Sequence, residues 1–238
     1  MTSGGRVAAI VPAAGRGERL GPGLPKALRL LGGAPMLVHA VRALSQARLV
    51  DVVVVAAPPD DLVSVRELLS SHEVGAEVRV VPGGASRQAS VARALAELGP
   101  DVDVVLVHDA ARPLAPSELA DAVAAAVQGG AEAVVPALRV ADTVKRVDAT
   151  DRVVETLARD DLRAVQTPQG FRRHVLADAH EAALLDGHDA TDDAGLVERL
   201  GAAVRVIAGS EEAFKVTRPT DLVLAEVLLA RRRENRGR

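Results

Sequence analysis

Short apolar runs rich in valine alternate along this sequence with longer amphipathic stretches. The runs predict strands at Val7–Val11, Val52–Ala56, Val78–Val81, Val104–His108, Ala133–Pro136 and Val204–Ala208. The longer stretches predict helices at Met36–Ala47, Asp60–Ser70, Arg87–Leu98, Ser117–Gln128, Arg172–Leu185, Ala194–Leu200 and Thr220–Arg232. Because strands that alternate with helices build a sheet covered on both sides, we expect a three-layer α/β fold with a mostly parallel, twisted sheet.

One segment interrupts this alternation. Residues 143–147 and 152–156 flank the turn-forming sequence Asp148–Asp151, which predicts a protruding β-hairpin arm at about residues 140–160. A hairpin with mixed faces is marginal alone in water, so it packs on its own domain or clasps a second subunit. No repeat or low-complexity linker divides the chain, and we expect residues 1–238 to form a single domain.

The composition excludes several classes of protein. The net charge is −3 and cysteine is absent, so disulfides and thiolate metal sites are excluded. No apolar run approaches the roughly 20 residues that span a bilayer, and residues 1–5 lack the apolar stretch of a signal peptide. The basic residues 231–238 predict a frayed, solvated tail rather than an RNA contact. We expect a cytoplasmic protein without nucleic-acid or membrane partners.

A loop of small residues follows the first predicted strand, from Pro12 to Gly21. Alanine and glycine leave room for a ligand to approach backbone N–H groups. Arg16, Arg19 and Lys26 add positive charge, which suits a polyphosphate. The loop therefore predicts a phosphate-binding site.

Two familiar phosphate loops are excluded by single residues. The dinucleotide fingerprint needs a third glycine where Leu20 stands, and a Walker loop needs a lysine where Pro22 follows the last glycine. With Arg19 and the pair Pro25–Lys26, the loop instead resembles that of nucleotidyltransferases of the glycosyltransferase-A-like fold. Lys26 is then the residue that meets charge developing on the phosphates.

Further blocks follow predicted strands or begin helices. Gly83–Val91 opens a helix whose N-terminus suits an anion or a polar base edge, with Ser86 as a contact or a simple N-cap. His108–Pro113 brings Asp109 and Arg112 to the sheet edge where ligands bind, or forms a local Asp–Arg pair. The remaining blocks are Asp142–Lys145, Gln166–Phe171, Thr191–Asp193 and Phe214–Pro219.

In this order and spacing, the blocks resemble the 2-C-methyl-D-erythritol 4-phosphate cytidylyltransferase family from Val7 to about Leu229. The resemblance implies a Rossmann-like nucleotidyltransferase fold and a homodimer formed through the arm. It also implies transfer of CMP from CTP to a small polyol phosphate with Mg²⁺, in non-mevalonate isoprenoid biosynthesis. Ala85 and Ala89 stand where family members often carry acidic residues, so the cytosine contact at Ala85 is expected from backbone alone.

The resemblance also implies roles for individual residues. Those implied to bind CTP are Ala13, Ala14, Gly15, Gly17, Gly84, Arg87, Ser90, Asp109 and Ala110. Those implied to stabilise the reacting triphosphate are Arg19, Lys26 and Lys215. Those implied to bind the acceptor are Asp109, Arg112, Thr143, Thr167, Thr191, Lys215 and, from the partner's arm, Arg159. Asp109 is the one candidate ligand for Mg²⁺, which binds mostly through the CTP phosphates.

The chemistry requires no catalytic base, since a phosphate monoester with a second pKa near about 6 is largely dianionic at neutral pH. The sequence accordingly offers Arg and Lys residues and no His–Asp nucleophile arrangement. Two alternatives stay open. A ribitol 5-phosphate cytidylyltransferase has the same loop and reaction, and a non-catalytic nucleotide-binding protein would be free to lose Lys26 or Lys215, both of which are present.

Overall fold

The computed structural model describes residues 5–15, 26–72 and 74–236. The strands are β1 (Arg6–Pro12), β2 (Leu30–Leu31), β3 (Ala34–Pro35), β4 (Val52–Ala57), β5 (Glu77–Pro82), β6 (Val102–Val107), β7 (Ala133–Arg139), β8 (Lys145–Val147), β9 (Val153–Thr156), β10 (Arg163–Val165), β11 (Gln169–Arg172) and β12 (Val204–Ala208). The α-helices are α1 (Met36–Ser45), α2 (Leu62–Ser70), α3 (Arg87–Ala96), α4 (Ser117–Gln128), α5 (Arg173–Leu185), α6 (Asp193–Arg199) and α7 (Pro219–Arg236). Every predicted strand and helix forms, with ends shifted by a few residues.

The main sheet is mostly parallel, as predicted. Its strands run in the order β10-β7-β11-β6-β1-β4-β5, and β12 pairs with β7. Strands β1, β4, β5 and β6 are parallel, and β12 is parallel to β7. β11 is inserted antiparallel between β6 and β7. β11 is not predicted from the sequence. Because β11 runs antiparallel to β6, the residues just before β11 lie at the edge of the sheet where β6 ends.

Helices cover both faces of the sheet, because side chains of the central strands alternate between two buried clusters. Val7, Ala9 and Val11 of β1 face the cluster formed with α1, α2 and α4. Ala8 and Ile10 face the cluster formed with α3, α5 and α6, which also buries Phe171 completely. The three-layer architecture predicted from the sequence is therefore confirmed.

The last helix packs at one end of the sheet. Residues of α7 join a buried cluster that includes Leu31 and Met36. Arg232 forms an ion pair with Glu212, and Arg233 donates a hydrogen bond to the carbonyl oxygen of Gly32 at 2.8 Å. The prediction of a frayed tail from residue 231 is thus wrong as far as residue 236, because these contacts extend the helix.

The predicted hairpin arm forms from β8 and β9, which pair antiparallel as a separate two-stranded sheet. All seven strand residues are exposed, including Val147, Val153 and Val154. The hairpin therefore does not fold back onto the core of its own chain. In the part of the chain that the structure describes, the helices lack the combination of length and hydropathy that crossing a membrane requires.

Candidate active site

Three parallel strands deliver the candidate site to one edge of the sheet. β1, β5 and β6 end there, since the carboxyl ends of parallel strands share an edge. A cavity of about 210 Å³ opens at this edge. The residues that line it are Pro12, Ala13, Ala14, Gly15, Lys26, Ala27, Arg87, Ser90, Asp109, Ala110, Ala111 and Lys215. Apart from Pro12, Ala27 and Ala111, all are residues that the sequence predicts for the site.

Asp109 is the centre of the charged groups in this cavity. It follows β6 directly and is 9% exposed. Its Oδ1 accepts a hydrogen bond from Nε of Arg87 at 3.1 Å, and its Oδ2 lies 2.7 Å from Nζ of Lys215. A carboxylate and two cations from three separate segments are therefore fixed against one another.

These contacts decide the charge state of the site. Burial alone would raise the pKa of Asp109, but the charges of Arg87 and Lys215 outweigh it and hold the pKa well below its usual range. Burial alone would lower the pKa of Arg87, but Asp193 and Asp109 raise it above its ordinary value. Both groups are therefore charged at neutral pH.

Thr167 takes part in two buried hydrogen bonds, one with Asp109 and one with His108. The hydroxyl oxygen of Thr167 accepts a hydrogen bond from the backbone N–H of Asp109 at 3.0 Å and lies 3.1 Å from Nδ1 of His108. Thr167 reaches this position because β11 runs antiparallel, so the residues before it meet the residues after β6. Thr167 itself does not line the cavity, and a direct contact with the acceptor stays a prediction.

Helix α3 brings Arg87 to the cavity. Ser86 is the N-cap, since its side chain accepts a hydrogen bond from the N–H of Ala89 at 3.0 Å, and Arg87 is the first helical residue. The interpretation of Ser86 as a cap is therefore confirmed. The partial positive charge of the helix N-terminus adds to that of the arginine.

The end of β5 packs closely against its neighbours. A Cβ atom at Gly83 would lie 2.6 Å from that of Ala14, and one at Gly84 would overlap Ala89. The N–H of Gly84 donates to the hydroxyl of Ser90 at 3.0 Å. Gly84 thus contributes close packing and lies outside the residues that line the cavity, whereas Ser90 is among them.

Part of the predicted phosphate loop is committed to the sheet. The N–H of Ala13 donates to the carbonyl oxygen of Ala56 at 2.8 Å, so it is not available to a phosphate. Ala14 and Gly15 continue along the cavity. The predicted residues Gly17 and Arg19 lie outside the described residues.

Arg112 is turned away from the cavity. Its guanidinium donates hydrogen bonds to the carbonyl oxygens of Ala213 at 2.6 Å and Val165 at 3.2 Å. The guanidinium makes no hydrogen bond to Asp109, whereas the backbone N–H of Arg112 donates to the carbonyl oxygen of Asp109 at 2.9 Å. The local Asp–Arg pair of the alternative therefore exists through the backbone and not through the two side chains. In this conformation Arg112 joins β10 to the segment before Lys215, and its role in acceptor binding stays a prediction.

Three other predicted acceptor residues are exposed and lie away from the cavity. Thr143 is at the base of the hairpin, and Arg159 donates a hydrogen bond to the carbonyl oxygen of Ala141 at 2.8 Å. Thr191 precedes α6 but does not cap it, because the N-cap is Asp192, whose side chain accepts from the N–H of Gly195. The cap interpretation of Thr191 is wrong, and its substrate role stays a prediction.

Two buried residues that are linked to the site by hydrogen bonds, Asp193 and His180, are not among the site residues predicted from the sequence. Nη1 of Arg87 donates to Oδ2 of Asp193 at 2.7 Å, and the imidazole Nε2 of His180 lies 2.9 Å from Oδ1 of the same carboxylate. Asp193 and His180 are 1% and 5% exposed. The available signal was an aspartate at the start of a predicted helix, but its partner Arg87 lies 106 residues away.

Among the described residues that line the cavity, Asp109 is the single carboxylate. The described residues contain no group of three or more His, Asp or Glu side chains able to hold a metal ion on their own. Mg²⁺ usually takes one or two protein carboxylates and substrate phosphates. The donor set therefore fits a magnesium ion that is held mostly by a nucleotide.

Comparison with known proteins gives a consistent result. The sequence model of the 2-C-methyl-D-erythritol 4-phosphate cytidylyltransferase family matches residues 7–231. A protein of that name from Streptomyces avermitilis is 58% identical over 243 residues, which cover 99% of this chain and 96% of the relative. One from Frankia casuarinae is 63% identical over 226 residues, which cover 95% of this chain and 82% of the relative.

Solved structures agree in fold. The crystal structure of 4-diphosphocytidyl-2C-methyl-D-erythritol synthase from Anaerococcus prevotii has a TM-score of 0.83 and 29% identity, covering 95% of this chain and 97% of that one. The 2-C-methyl-D-erythritol 4-phosphate cytidylyltransferase from Thermus thermophilus has a TM-score of 0.76 and 38% identity, covering 94% and 98%. The resemblance stated from the sequence is confirmed: this chain belongs to the 2-C-methyl-D-erythritol 4-phosphate cytidylyltransferase family of nucleotidyltransferases.

Proposed function

We propose that this chain transfers CMP from CTP to 2-C-methyl-D-erythritol 4-phosphate, giving 4-diphosphocytidyl-2-C-methyl-D-erythritol and pyrophosphate. The observation that carries the proposal is the cavity that Lys26, Arg87, Lys215 and Asp109 line together beside a loop of small residues. Three cations and one carboxylate suit a ligand with several phosphate groups. Membership of the family supports the choice of nucleotide and acceptor.

In the proposed reaction, a phosphate oxygen of the acceptor attacks the α-phosphorus of CTP while the bond to pyrophosphate breaks. The acceptor phosphate is largely dianionic at neutral pH, so no proton has to be removed. His108 fits a reaction without a base, because burial lowers its pKa to about 4 and its nitrogens contact Thr167 and the carbonyl of Arg112. Catalysis then consists of positioning and electrostatic stabilisation.

Lys26 and Lys215 would supply most of that stabilisation, with Arg19 as a third cation. Lys26 lies in a 3-10 turn at the cavity, and Lys215 is held by Asp109. Cations that are fixed before the substrate arrives need no reorganisation as negative charge develops on the phosphates. Their role is to neutralise the charge of the transition state and of the departing pyrophosphate.

The nucleotide would bind between the first loop and α3. Ala14 and Gly15 leave space beside the cavity, and Gly17 would continue the loop. Arg87 and Ser90 lie on the opposite side at the start of α3. Ala110, directly after Asp109, adds little bulk. This arrangement supports a site in which the backbone supplies much of the contact to CTP.

Mg²⁺ would be held by Asp109 and the nucleotide phosphates. When bound, a magnesium ion would neutralise part of the charge on the phosphates. Arg87 and Lys215 keep the Asp109 carboxylate ionised, and Thr167 fixes the backbone from which it projects. These three residues would therefore hold the Asp109 carboxylate charged and in position for a metal ion.

The acceptor would bind where two subunits meet. The fully exposed hairpin supports a homodimer in which the arm of each chain packs on the other. Arg159, beyond β9, would then approach the partner's cavity, while Thr143, Thr191 and Arg112 would act from the surrounding loops. The domain would still be one unit, with the arm as its extension for dimerisation.

Pyrophosphate release with CTP and each of two acceptors tests the proposed function. We expect turnover with 2-C-methyl-D-erythritol 4-phosphate and a much lower kcat/KM with ribitol 5-phosphate. Lys26→Ala should reduce turnover by about 10²–10³, the usual cost of one positioned charge. Arg66→Ala, which removes an exposed arginine on α2, is the control and should keep normal turnover.

A clear preference for ribitol 5-phosphate would reject the acceptor but keep the reaction class. Binding of CTP without turnover on either acceptor would reject the enzyme in favour of a nucleotide-binding protein. Near-normal turnover of Lys26→Ala would reject the role of that lysine alone.

A further inference from the structure

The charged network of the cavity extends into the protein interior. Arg87 contacts two carboxylates, with Nε donating to Asp109 and Nη1 donating to Asp193. Asp193 also binds Nε2 of His180 at 2.9 Å. Neither Asp193 nor His180 is among the residues that line the cavity. The network therefore leads from the site to two residues that lie outside this cavity.

The position of Asp193 is fixed by the start of α6. Its neighbour Asp192 caps the helix and accepts a hydrogen bond from Nε2 of Gln169 at 2.6 Å. The amide oxygen of Gln169 in turn accepts from the N–H of Ala194 at 3.2 Å. Asp193 thus projects from a backbone that is held on both sides, and its carboxylate has little freedom to follow a moving partner.

Both oxygens of this carboxylate have a partner. Oδ2 contacts Arg87 and Oδ1 contacts His180, and the side chain is 1% exposed. A buried carboxylate that loses one partner retains its desolvation cost with less compensation. Since an aspartate only accepts hydrogen bonds at neutral pH, His180 must donate through Nε2. That donation fixes the tautomer and the orientation of its ring.

Two carboxylates at adjacent nitrogens fix the plane of a guanidinium, because its donors form a rigid fork. With Asp193 in place, Nε of Arg87 points at Asp109. Without Asp193, Arg87 would keep one anchor and could rotate towards the phosphates of a nucleotide. Asp109 would then keep one fixed cation, Lys215, and lose its defined orientation.

We propose that Asp193 and His180 are positioning residues, which hold Arg87 so that Asp109 and the nucleotide side of the cavity keep their geometry. The inference rests on the proposed function, because it assigns Arg87 and Asp109 to CTP. It predicts that changes at His180 weaken the binding of CTP more than that of the acceptor, because Arg87 is assigned to CTP alone, although His180 lies outside the cavity.

Matched substitutions at His180 and Asp193 test this inference. Glutamine can donate a hydrogen bond from a position similar to that of imidazole Nε2, whereas phenylalanine fills the space without donating. We expect His180→Phe and Asp193→Asn each to raise the KM for CTP about tenfold or more, the usual effect of breaking a hydrogen bond to a charged group. His180→Gln should stay within about threefold of the wild type on the same reasoning.

The other readouts separate positioning from general damage. The KM for the acceptor should rise less than the KM for CTP in every variant, and circular dichroism should match the wild type. His180→Phe combined with Asp193→Asn should be no worse than the worse single variant, because both break one chain of contacts. His174→Gln, at an exposed position of the same helix, is the control and should keep wild-type kinetics.

Three results would overturn the inference. One is a folded His180→Phe or Asp193→Asn variant whose KM for CTP equals that of the wild type. Another is an equal rise in both KM values, which would mean a general loss of structure. The third applies if His180→Phe does not fold. In that case the inference is overturned when the KM for CTP of His180→Gln is as high as that of Asp193→Asn. A wild-type chain without turnover rejects the proposed function, whereas an active wild type with unaffected variants rejects positioning alone.

Discussion

Asp109 in the cavity and Asp148 in the hairpin turn are both acidic groups with a lowered pKa, for different reasons. Asp109 is buried and held by Arg87 and Lys215, from distant parts of the chain. Asp148 is held by the hydroxyl and N–H of Thr150 and by Arg152, all within four residues, which lowers its pKa to about 2.

The two carboxylates differ in whether their charged partners are local or depend on the folded structure. The partners of Asp148 are local and stand in water, so they can form in an isolated hairpin and are screened by salt. Those of Asp109 meet only when β6, α3 and the segment before α7 are assembled. A lowered pKa alone therefore does not identify a functional carboxylate, whereas burial together with distant partners supports one.

The largest effect on activity is expected from removing the charge of Asp109 rather than that of Asp148. Asp109→Asn removes the charge that binds Arg87 and Lys215, and it should lower kcat/KM for pyrophosphate release by about 10²–10³. Asp148→Asn should leave kcat/KM within about twofold, because its interactions lie on the surface. Steady-state kinetics of the two variants measure this contrast. Similar losses in both would contradict it.

The next effect is on stability and comes from His108, behind Asp109. Burial lowers its pKa from 6.5 to about 4, so between these pH values the unfolded chain binds a proton that the folded chain does not. Above about pH 6.5 His108 is neutral in both the folded and the unfolded chain, so it does not lower the free energy of unfolding. As the pH falls to 4, protonation of the unfolded chain lowers the free energy of unfolding by about 3 kcal/mol. Urea unfolding at several pH values measures the loss. His108→Gln should show a flatter dependence, and an equal slope would contradict the assignment.

A third prediction concerns the hairpin arm as a dimer contact. Val153 is 60% exposed on β9, and an aspartate there would place a charge in an apolar contact. We expect Val153→Asp to raise the dimer dissociation constant at least about tenfold, equivalent to 1.4 kcal/mol. Sedimentation velocity over a range of concentrations measures it. If the wild-type chain is monomeric at micromolar concentration, the proposed roles of the arm in dimerisation and of Arg159 in the acceptor site are both rejected.

The smallest effect is expected from the ion pair across the hairpin. Arg146 and Glu155 lie 3.2 Å apart with side chains 64% and 50% exposed. Exposed pairs of this kind contribute at most about 1 kcal/mol. A double-mutant cycle of Arg146→Ala and Glu155→Ala in urea unfolding should give a coupling below that value, and 0.5 M salt should reduce it. A coupling of several kcal/mol would contradict the exposure of this pair and would place it inside the proposed dimer contact.

The sequence predicts much of the fold because its signals are local. Valine-rich runs fix β1, β4 and β6, and Asp109 can be assigned to a sheet edge because it follows one of them. β11 escapes prediction, since Gln169–Arg172 is short and contains no β-branched residue. Its place between β6 and β7 is decided by burial of Phe171 and by pairing with distant strands.

The site is predicted less completely because side-chain direction is a tertiary property. The spacing of Arg112 from Asp109 suggests a shared role, yet packing turns its guanidinium to the carbonyls of Ala213 and Val165. Asp193 belongs to a block that the sequence singles out, but nothing local indicates its partners, and His180 carries no local signal. They become visible only when α5, α6 and α3 are packed together, which no motif encodes.

The late position of Lys215 and α7 has a consequence for how the molecule is made. During synthesis, β1, α3 and β6 are made well before Lys215, so Asp109 has only Arg87 as a cationic partner until the segment before α7 has been made. Arg232 and Arg233 then connect α7 to segments near residues 114 and 32. Most of the sheet can therefore assemble before Lys215 is made, but the cavity is complete only once the segment before α7 has joined it.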